Sequence, residues 1–404
     1  MERARPATRE PVFCPHFGRC GGCQLLDLDY GAEVADKTRR FAALLGAQPA
    51  LAGAELLPTL AAASPLFYRT ALKVPFGRSR HGPVCGFFRA GSHEIVDLSV
   101  CAIQHPLLTE LLVATRRLAV KMRVPIYDEE RHTGLLRHLL ARVAPGTGKA
   151  LAGLVVTEPG TPAARFLAKA LFAEFSPRGL VGVVENVNSR QTSAVVGSHT
   201  LPIIGMPFLL EEQDGLRTRA SITSFVQANS AQASVLYAET LRLLGGPRPE
   251  APGELSGWHV ADLFAGHGPI ALRLARAGAR VTAIERNAAA VRDGIAAARD
   301  NSLADRVRFL AADALQGLHE LDAQGLDALV VDPPRRGLDP ELVGALGALR
   351  FARMVYVSCE PDTLVRDLRE LAESFEVSAV RPVDLFPRTE HLEVVALLER
   401  RGAR

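Results

Sequence analysis

The sequence contains little lysine and no long apolar segment. Only five of its 47 basic residues are lysines. This arginine bias fits the base composition of a GC-rich genome, the explanation we favour, and it also fits the recognition of phosphate groups by guanidinium forks. No apolar run approaches the length that crosses a bilayer, and residues 1–6 lack the apolar core of a signal peptide. We therefore expect a cytoplasmic protein without a membrane partner.

The chain also lacks a strong charge imbalance. A formal net charge of +3 is too small to indicate a nucleic-acid partner by itself. Six cysteines in a cytosolic protein of 404 residues favour metal binding or catalysis over disulfides. With 48% hydrophobic and 23% charged residues, the composition is that of a soluble globular protein of two or three domains.

Three of the cysteines, Cys14, Cys20 and Cys23, lie within ten residues on a glycine-rich loop. Three thiolates need a fourth ligand to close a tetrahedral zinc site or a cubane iron–sulfur cluster, and Cys85 and Cys101 are the candidates. Zinc sites usually combine two pairs of closely spaced ligands, whereas a triplet with one distant cysteine is more typical of a 4Fe–4S cluster. The spacing therefore favours the cluster over zinc.

Periodicity and breaker residues divide the chain into four parts. Residues 1–30 form the cysteine-bearing loop, and residues 31–60 form a helical linker that we expect to pack on the catalytic domain. Residues 61–220 contain short strands separated by glycines, which predicts a β-rich central domain. Within it, residues 131–138 combine arginine and histidine around a turn, as suits a phosphate backbone, although a solvated loop explains them equally well. Residues 221–404 alternate strands with helices and form the predicted catalytic domain.

The last part predicts an α/β fold with a Rossmann-like, doubly wound parallel sheet and right-handed crossovers. Its strands are expected at residues 258–264, 280–284, 307–310, 326–331 and 354–357, with a final apolar strand near residue 393. Ligands bind such sheets at the carboxyl ends of the strands. The residues that follow the strands are therefore candidates for the functional site.

Residues typical of a nucleotide-bearing cofactor follow the first three strands. Gly266 and Gly268 allow a tight turn beneath a cofactor, and Glu285 is placed to accept hydrogen bonds from ribose hydroxyls. Asp313, after the third strand, is where a carboxylate could read an adenine amino group. This spacing does not separate NAD from S-adenosylmethionine.

The remaining strands border on reactive side chains. Asp332 begins the run Asp-Pro-Pro-Arg, a rigid loop that methyltransferases acting on planar substrates often show and dehydrogenases do not require. Cys359 follows a buried strand and precedes a helix beginning at Pro361, so we expect the helix dipole to lower the pKa of its thiol. His391 and Glu393 precede the last strand. Taken alone, Cys359 could be an inert core thiol and Glu393 an ordinary surface acid.

In this combination the chain resembles the RNA 5-methyluridine methyltransferases, bacterial enzymes that methylate uracil in 23S rRNA or in the tRNA T-loop. The stretches that carry the resemblance occur in family order over nearly the whole chain. They are residues 14–23 with Cys101, 224–229, 262–268, 332–337, 358–361 and 386–393.

The resemblance implies a role for each matched residue. Cys359 is the expected nucleophile, which attacks carbon 6 of the uracil, and Glu393 is the expected base, which removes the proton from carbon 5. The residues expected to bind the methyl donor S-adenosylmethionine are Gln227, Phe264, Glu285, Asp313 and Asp332. The residues expected to hold a 4Fe–4S cluster are Cys14, Cys20, Cys23 and Cys101, with Cys85 left over.

The resemblance also indicates a substrate. Only about a dozen residues precede the cysteines, which favours the relatives without an N-terminal β-barrel domain, and the presence of the cluster cysteines favours 23S rRNA over tRNA. Pro269 stands where relatives often carry a small polar residue, which puts one cofactor contact in doubt. The target base is expected to be flipped from the RNA stack, against Phe225. No obligate protein partner is inferred.

Four other functions share part of this pattern. A tRNA T-loop uracil-5-methyltransferase fits the same motifs, and an RNA 5-methylcytosine methyltransferase shares the thiol chemistry but usually has a cysteine beside the proline motif. An NAD-dependent iron–sulfur oxidoreductase fits the glycines and cysteines but leaves Cys359 and Glu393 unexplained. A non-catalytic RNA-binding protein would need neither residue.

Overall fold

The chain folds into a seven-stranded sheet, an eight-stranded sheet and a two-stranded hairpin. The computed structural model describes residues 13–80, 82–192, 194–245, 254–321 and 325–402. The first residues of the predicted cysteine loop 1–30 lie outside these ranges. No helix in the described part of the chain combines the length and the apolar character needed to span a membrane.

The segment after the cysteine loop packs on the eight-stranded sheet. Helix α1 (Tyr30–Gly46) begins after Asp29, whose carboxylate accepts a hydrogen bond from a backbone N–H of the first turn. Phe41 and Leu45 of this helix are buried in the same hydrophobic cluster as side chains of that sheet. Strand β1 (Glu55–Leu56) then adds to the edge of the sheet.

The seven-stranded sheet forms the central part of the chain. Its elements, with the hairpin that follows it, are β2 (Ala71–Ser79), β3 (Gly82–Phe88), β4 (Ile95–Asp97), α2 (Pro106–Lys121), β5 (Leu136–Ala144), β6 (Lys149–Val156), α3 (Pro162–Phe175), β7 (Leu180–Val187), β8 (His199–Gly205), β9 (Phe208–Gln213) and β10 (Leu216–Ser221). The strand order is β4-β3-β2-β5-β6-β7-β8. Helices α2 and α3 cover one face, and the β9–β10 hairpin packs on the other, so the central strand β5 is buried along its whole length.

The eight-stranded sheet is built mainly from the second half of the chain. Its elements are α4 (Ser230–Leu244), β11 (His259–Leu263), α5 (Pro269–Arg276), β12 (Arg280–Ile284), α6 (Ala288–Asp300), β13 (Val307–Leu310), α7 (Ala314–His319), β14 (Ala328–Val331), α8 (Pro340–Ala348), β15 (Arg353–Ser358), α9 (Pro361–Leu371), β16 (Phe375–Val383) and β17 (Glu393–Arg400). The strand order is β1-β16-β17-β15-β14-β11-β12-β13.

Strands β11 to β15 run parallel, as the alternating strands and helices predict. The predicted doubly wound, Rossmann-like sheet is confirmed, with one reversed strand that the pattern did not predict, because β17 runs antiparallel to both β15 and β16. The connection from β16 to β17 contains no helix, and two strands joined without a crossover pair in opposite directions. Because of this reversal, the start of β17 lies beside the carboxyl ends of β14 and β15, at the edge of the sheet where those strands end.

Candidate active site

Cys359 lies at this edge, directly after β15. The strand is buried between β14 and β17, and α9 begins two residues after the cysteine. The Ser358 hydroxyl accepts a hydrogen bond from the Glu360 N–H at 3.1 Å and donates one to the Glu360 carbonyl at 3.1 Å. These bonds hold the turn on both sides of Cys359, whose side chain is half-buried.

Two carboxyl groups lie at the same edge of the sheet. Asp332 follows β14, and Glu393 is the first residue of β17, where it pairs with Val383. Glu393 is 2% exposed, and its Oε2 atom has no hydrogen-bond partner among the described residues. Burial, followed by the charge of Asp332, raises the pKa of Glu393 to about 8. Burial also raises the pKa of Asp332 to about 7.

These surroundings reverse the effect that we expected for the thiol. Burial, followed by the charges of Glu393 and Asp332, raises the pKa of Cys359 to about 12. The helix dipole, typically worth about 0.3–1 kcal/mol, is outweighed. Glu360, and not Cys359, is the N-cap residue of α9, so the thiol lies outside the first turn. The prediction of a lowered thiol pKa is therefore wrong for the free protein.

One cation opposes the carboxyl groups. Arg335, in the loop after Asp332, lowers the pKa of both Cys359 and Glu393. Its Nη2 atom lies 3.4 Å from Nε2 of His391, in the connection between β16 and β17. The Asp-Pro-Pro-Arg loop therefore places two groups at this edge of the sheet. One is the carboxyl group of Asp332, and the other is the Arg335 guanidinium, which favours the ionised forms of Cys359 and Glu393.

The Asp-Pro-Pro-Arg loop is fixed from beneath by Asp367 of α9. This buried carboxylate accepts the Leu338 N–H at 2.8 Å and the Tyr356 hydroxyl at 2.7 Å. Gly337 has a φ of +76°, and a Cβ atom there would lie 2.3 Å from Oδ2 of Asp367. A glycine is required because the loop passes so close to the helix behind Cys359.

The glycine turn after β11 has the open backbone that a bound cofactor needs. Gly266 has a φ of +58°, and nothing lies within 4 Å of where its Cβ would be. The Glu285 carboxylate accepts the Gly266 N–H at 3.0 Å and the Asn287 N–H at 2.6 Å. Phe264, just before the turn, also has a positive φ, 62°. Glu285 thus organises the turn while it remains only half-buried.

The other two residues expected at the donor site, Asp313 and Gln227, lie on segments other than the glycine turn. Asp313 is exposed and caps α7 by accepting the Leu315 N–H at 3.1 Å. Gln227 is buried in the segment between β10 and α4, where it lines a cavity of about 50 Å³ with Tyr237 and His267. Asn229 joins this segment to the last connection by donating to the Leu385 carbonyl at 3.0 Å.

Sequence reasoning assigned no role to two residues near the carboxyl groups. Asp262, inside β11, is 1% exposed, and burial followed by the charge of Asp332 raises its pKa well above the usual range. An acid within an otherwise apolar strand was the available signal. Tyr237 is buried on α4, and Asp332, Glu393 and Asp262 all contribute to raising its pKa. No sequence signal distinguishes Tyr237, because it occupies an ordinary core position of an amphipathic helix.

The cysteines form two separate groups. Cys101, Cys20 and Cys14 each contribute to raising the pKa of Cys23, after burial, to about 12. Cys85 is fully buried in the core of the seven-stranded sheet, and none of the other thiols affects its pKa. Across the described ranges, no group of three or more Cys, His, Asp or Glu side chains has the geometry of a metal site. The four thiols are therefore neighbours without ligand geometry.

A groove of about 330 Å³ lies between strands of the seven-stranded sheet and the segment that carries Gln227. Arg69, which lowers the pKa of Cys23, lies over the ring of Phe87 at 5.7 Å. Lys73 lines the same groove, and Phe225, which is 69% exposed, stands at its border. Basic side chains with exposed rings are suited to single-stranded nucleic acid. Residues 131–138, for which contact with a phosphate backbone and a solvated loop were equally good interpretations, do not line this groove.

Comparisons with known proteins show which proteins this chain resembles. A sequence family described as tRNA (Uracil-5-)-methyltransferase matches residues 250–401. An RNA methyltransferase of Halalkalibacterium halodurans is 33% identical over 402 residues, which covers 99% of this chain and 85% of that protein. An RNA methyltransferase of Gloeobacter violaceus is 37% identical over 389 residues, which covers 96% of this chain and 82% of that protein.

One solved structure has the same overall architecture. The tRNA (uracil-54, C5)-methyltransferase of Pyrococcus abyssi, solved in complex with S-adenosyl-L-homocysteine, matches with a TM-score of 0.74 and 23% sequence identity. The match covers 94% of this chain and 86% of that one. The likeness extends over both sheets and is one of fold.

Replacing Glu393 with Gln, or Asp332 with Asn, is expected to lower the pKa of Cys359, because each change removes a negative charge beside the thiol. The pKa is read from the pH dependence of iodoacetamide alkylation, measured on the Cys359 peptide by mass spectrometry. The exposed Glu370→Gln on α9 is the control and should leave the profile unchanged. Identical profiles in all four proteins would show that the carboxyl groups do not control the thiol.

Proposed function

The chain belongs to the S-adenosylmethionine-dependent RNA uracil-5-methyltransferase family, and we propose that it methylates carbon 5 of a uridine in 23S rRNA through a covalent cysteine–uracil intermediate. One observation carries the proposed mechanism. Cys359, Asp332 and Glu393 adjoin three adjacent strands at one edge of the sheet, where the two carboxyl groups add to the effect of burial in raising the pKa of the thiol. An NAD-dependent oxidoreductase finds no support in this family membership.

Cys359 supplies the nucleophile that the reaction requires, since carbon 5 of uracil is not nucleophilic enough to accept a methyl group. Its thiolate adds to carbon 6, and the electrons of the carbon 5–carbon 6 double bond move to form an enolate. S-Adenosylmethionine, when bound, supplies the methyl group and a positively charged sulfonium. The thiol must ionise first, and its pKa of about 12 in the free protein means that the thiolate is scarce until positive charge enters the site.

Glu393 is the proposed base for the second half of the reaction. After carbon 5 has accepted the methyl group, the Glu393 carboxylate removes the proton that this carbon still carries. The double bond re-forms, the sulfur–carbon bond breaks, and Cys359 leaves as a thiolate. A carboxylate with a pKa of about 8 is a stronger base than an exposed one. Only the deprotonated form can act, so this step should become faster as pH rises through about 8.

We assign the methyl-donor site to the residues around the glycine turn. The open space beside Gly266 and the half-buried Glu285 carboxylate support a ribose position there. The free Oδ2 side of the Asp313 carboxyl is available to an adenine amino group, since Oδ1 caps α7. Gln227, Phe264 and Asp332 complete the proposed site.

Cys14, Cys20, Cys23 and Cys101 are the proposed ligands of a 4Fe–4S cluster. Their mutual electrostatic effects and the position of Arg69 beside them support this donor set, since bringing four thiolates together requires compensating positive charge. The complete burial of Cys85 supports its exclusion from the proposed cluster ligands. The methyl transfer needs no electron carrier, so we assign the cluster a structural role.

The tRNA T-loop is the second candidate substrate. The matching family and the Pyrococcus abyssi structure are both described as tRNA enzymes, whereas the cysteine quartet favours 23S rRNA through the resemblance drawn above. The groove lined by Arg69, Lys73 and Phe225 supports RNA of either kind, because backbone charge and base stacking are common to both.

The covalent step is tested with RNA that contains 5-fluorouridine, whose carbon 5 carries no removable proton. The unmodified enzyme, given this RNA and the methyl donor, should form a stable adduct, and Cys359→Ala should form none. With ordinary uridine RNA, Glu393→Gln should accumulate the adduct because proton removal fails, while the exposed neighbour Glu390→Gln turns over normally. Adduct formation by Cys359→Ala would refute the nucleophile.

The cluster is tested by anaerobic purification. The protein should be brown and contain about four iron atoms per chain, and Cys23→Ala should lose both the colour and the iron. Cys85→Ala is the matched control and should retain the iron although it loses core packing. Stoichiometric zinc without iron would contradict the assignment.

The substrate is tested by mass-spectrometric mapping of 5-methyluridine in RNA from cells that lack the protein. We expect the modification to disappear from 23S rRNA and to persist in tRNA, and the purified enzyme should restore it in vitro. Loss from the tRNA T-loop alone would establish the second candidate.

A further inference from the structure

The connection between β16 and β17 is held by a charged network that is closed to solvent. Lys37 of α1 donates to Oε1 of Glu33 at 2.8 Å, to Oδ1 of Asp384 at 2.9 Å and to the Phe386 carbonyl at 3.3 Å. Lys37 is 1% exposed, and the side chains of Glu33 and Asp384 are fully buried. Asp384 and Phe386 both belong to the connection, so α1 binds both a side chain and a backbone carbonyl of the connection.

Two further groups extend the network. The Arg388 N–H donates to Oε1 of Glu33 at 2.7 Å, although Arg388 has a positive φ of 68°. The Tyr30 hydroxyl donates to Oδ2 of Asp384 at 2.8 Å and accepts the Ala62 N–H at 2.7 Å. Glu33 therefore stabilises a backbone conformation that a non-glycine residue seldom adopts.

The connection is also held by its neighbours. The backbone N–H groups of Gln24 and Leu25, which follow Cys23 in the cysteine loop, donate to the Arg388 carbonyl at 2.9 and 3.1 Å. The Tyr68 hydroxyl donates to the Pro387 carbonyl at 2.8 Å. Consecutive backbone groups of the connection are thus bound from three separate segments of the chain.

Docking of α1 alone does not require these charges. Phe41 and Leu45 already bury the helix against the sheet, and an apolar pair in place of a buried ion pair often leaves stability unchanged or improves it. What apolar side chains cannot do is direct hydrogen bonds to a particular carbonyl and a particular N–H. The contacts of Lys37 with Phe386, and of Glu33 with Arg388, do this.

The position of the network relates it to Glu393. Asp384 directly follows Val383, which pairs with Glu393 across the two strands. The far end of the connection carries His391, which contacts Arg335, the cation that lowers the pKa of Glu393. A change in the connection would therefore displace both the proposed base and the charge beside it.

We propose that Glu33 and Lys37 are positioning residues that hold Glu393 in place for removal of the carbon 5 proton. This inference rests on the proposed function. It predicts a specific defect, since Cys359 belongs to a different connection, after β15, that Asp367 and Ser358 hold independently. Loss of the network should slow the release of the product from Cys359 more than it slows the addition of Cys359 to the base.

The test compares Lys37→Met, the charge-balanced double variant Lys37→Met with Glu33→Gln, and Asp36→Asn as control. Asp36 lies on the solvent-facing side of α1, where it pairs with Arg40 at 3.1 Å. Folding is checked by circular dichroism at the assay temperature. The double variant removes one charge of each sign, so it leaves one buried acid, Asp384, without Lys37, whereas the single variant leaves two.

Addition is measured as the rate of adduct formation with 5-fluorouridine RNA, and release as adduct decay with ordinary uridine RNA. We expect the folded network variants to release product about 10- to 100-fold more slowly, with addition slowed by a clearly smaller factor, and Asp36→Asn to match the unmodified enzyme. An unchanged release rate would overturn the proposal. Equal loss of addition and release, or failure of both network variants to fold, would also overturn it in favour of a structural role.

Glu393→Gln is the reference variant that distinguishes failure of the positioning role of Glu33 and Lys37 from failure of the proposed role of Glu393. If Glu393→Gln accumulates the adduct and the network variants do not, only the positioning role fails. If Glu393→Gln also releases product normally, the proposed role of Glu393 fails with it.

Discussion

The candidate active site depends on one constraint, namely that β14, β15 and β17 bring their site residues to the same edge of the sheet, where burial removes the carboxyl groups from water. Parallel pairing of β14 with β15 brings Asp332 beside Cys359, and the antiparallel β17 adds Glu393. Removing these acids from water raises the pKa of each of them, and their charges raise the pKa of the thiol further. At neutral pH the Cys359 thiol and the Glu393 carboxyl group are therefore mostly protonated, whereas Asp332 is about half ionised.

Such a site needs rigid surroundings, because hydrogen bonds within it are few. The support comes from outside the reacting groups. Asp367 ties the loop after Asp332 to the helix behind Cys359, and Lys37 with Glu33 ties down the connection that leads to Glu393. The cysteine loop contacts that same connection through backbone hydrogen bonds. Hydrogen bonds thus connect the N-terminal segment to the candidate active site at the sheet edge, although the two lie far apart in sequence.

Much of the fold could be predicted from local pattern. The apolar runs of β11 to β15 and the capping and proline signals of their helices are encoded by neighbouring residues. The direction of β17 was missed because pairing direction depends on how the chain returns to the sheet, and apolar content does not record it. Asp332, Cys359 and Glu393 could be predicted as site residues because each adjoins a strand and lies in a recognisable run. Asp262 and Tyr237 were missed because each lies within a regular element.

The sequence by itself determined the family, the succession of strands and the chemical types of the site residues, since motifs and periodicity are local properties. Only the tertiary structure decided the ionisation of those residues. The sequence predicts an acidic thiol from the helix behind Cys359, whereas the folded chain gives a pKa of about 12, because desolvation and two nearby carboxylates come from residues distant in the chain. The burial of Lys37, Glu33 and Asp384 was likewise decided by the fold, because a charged helix face enters the core only where its partners are already in place.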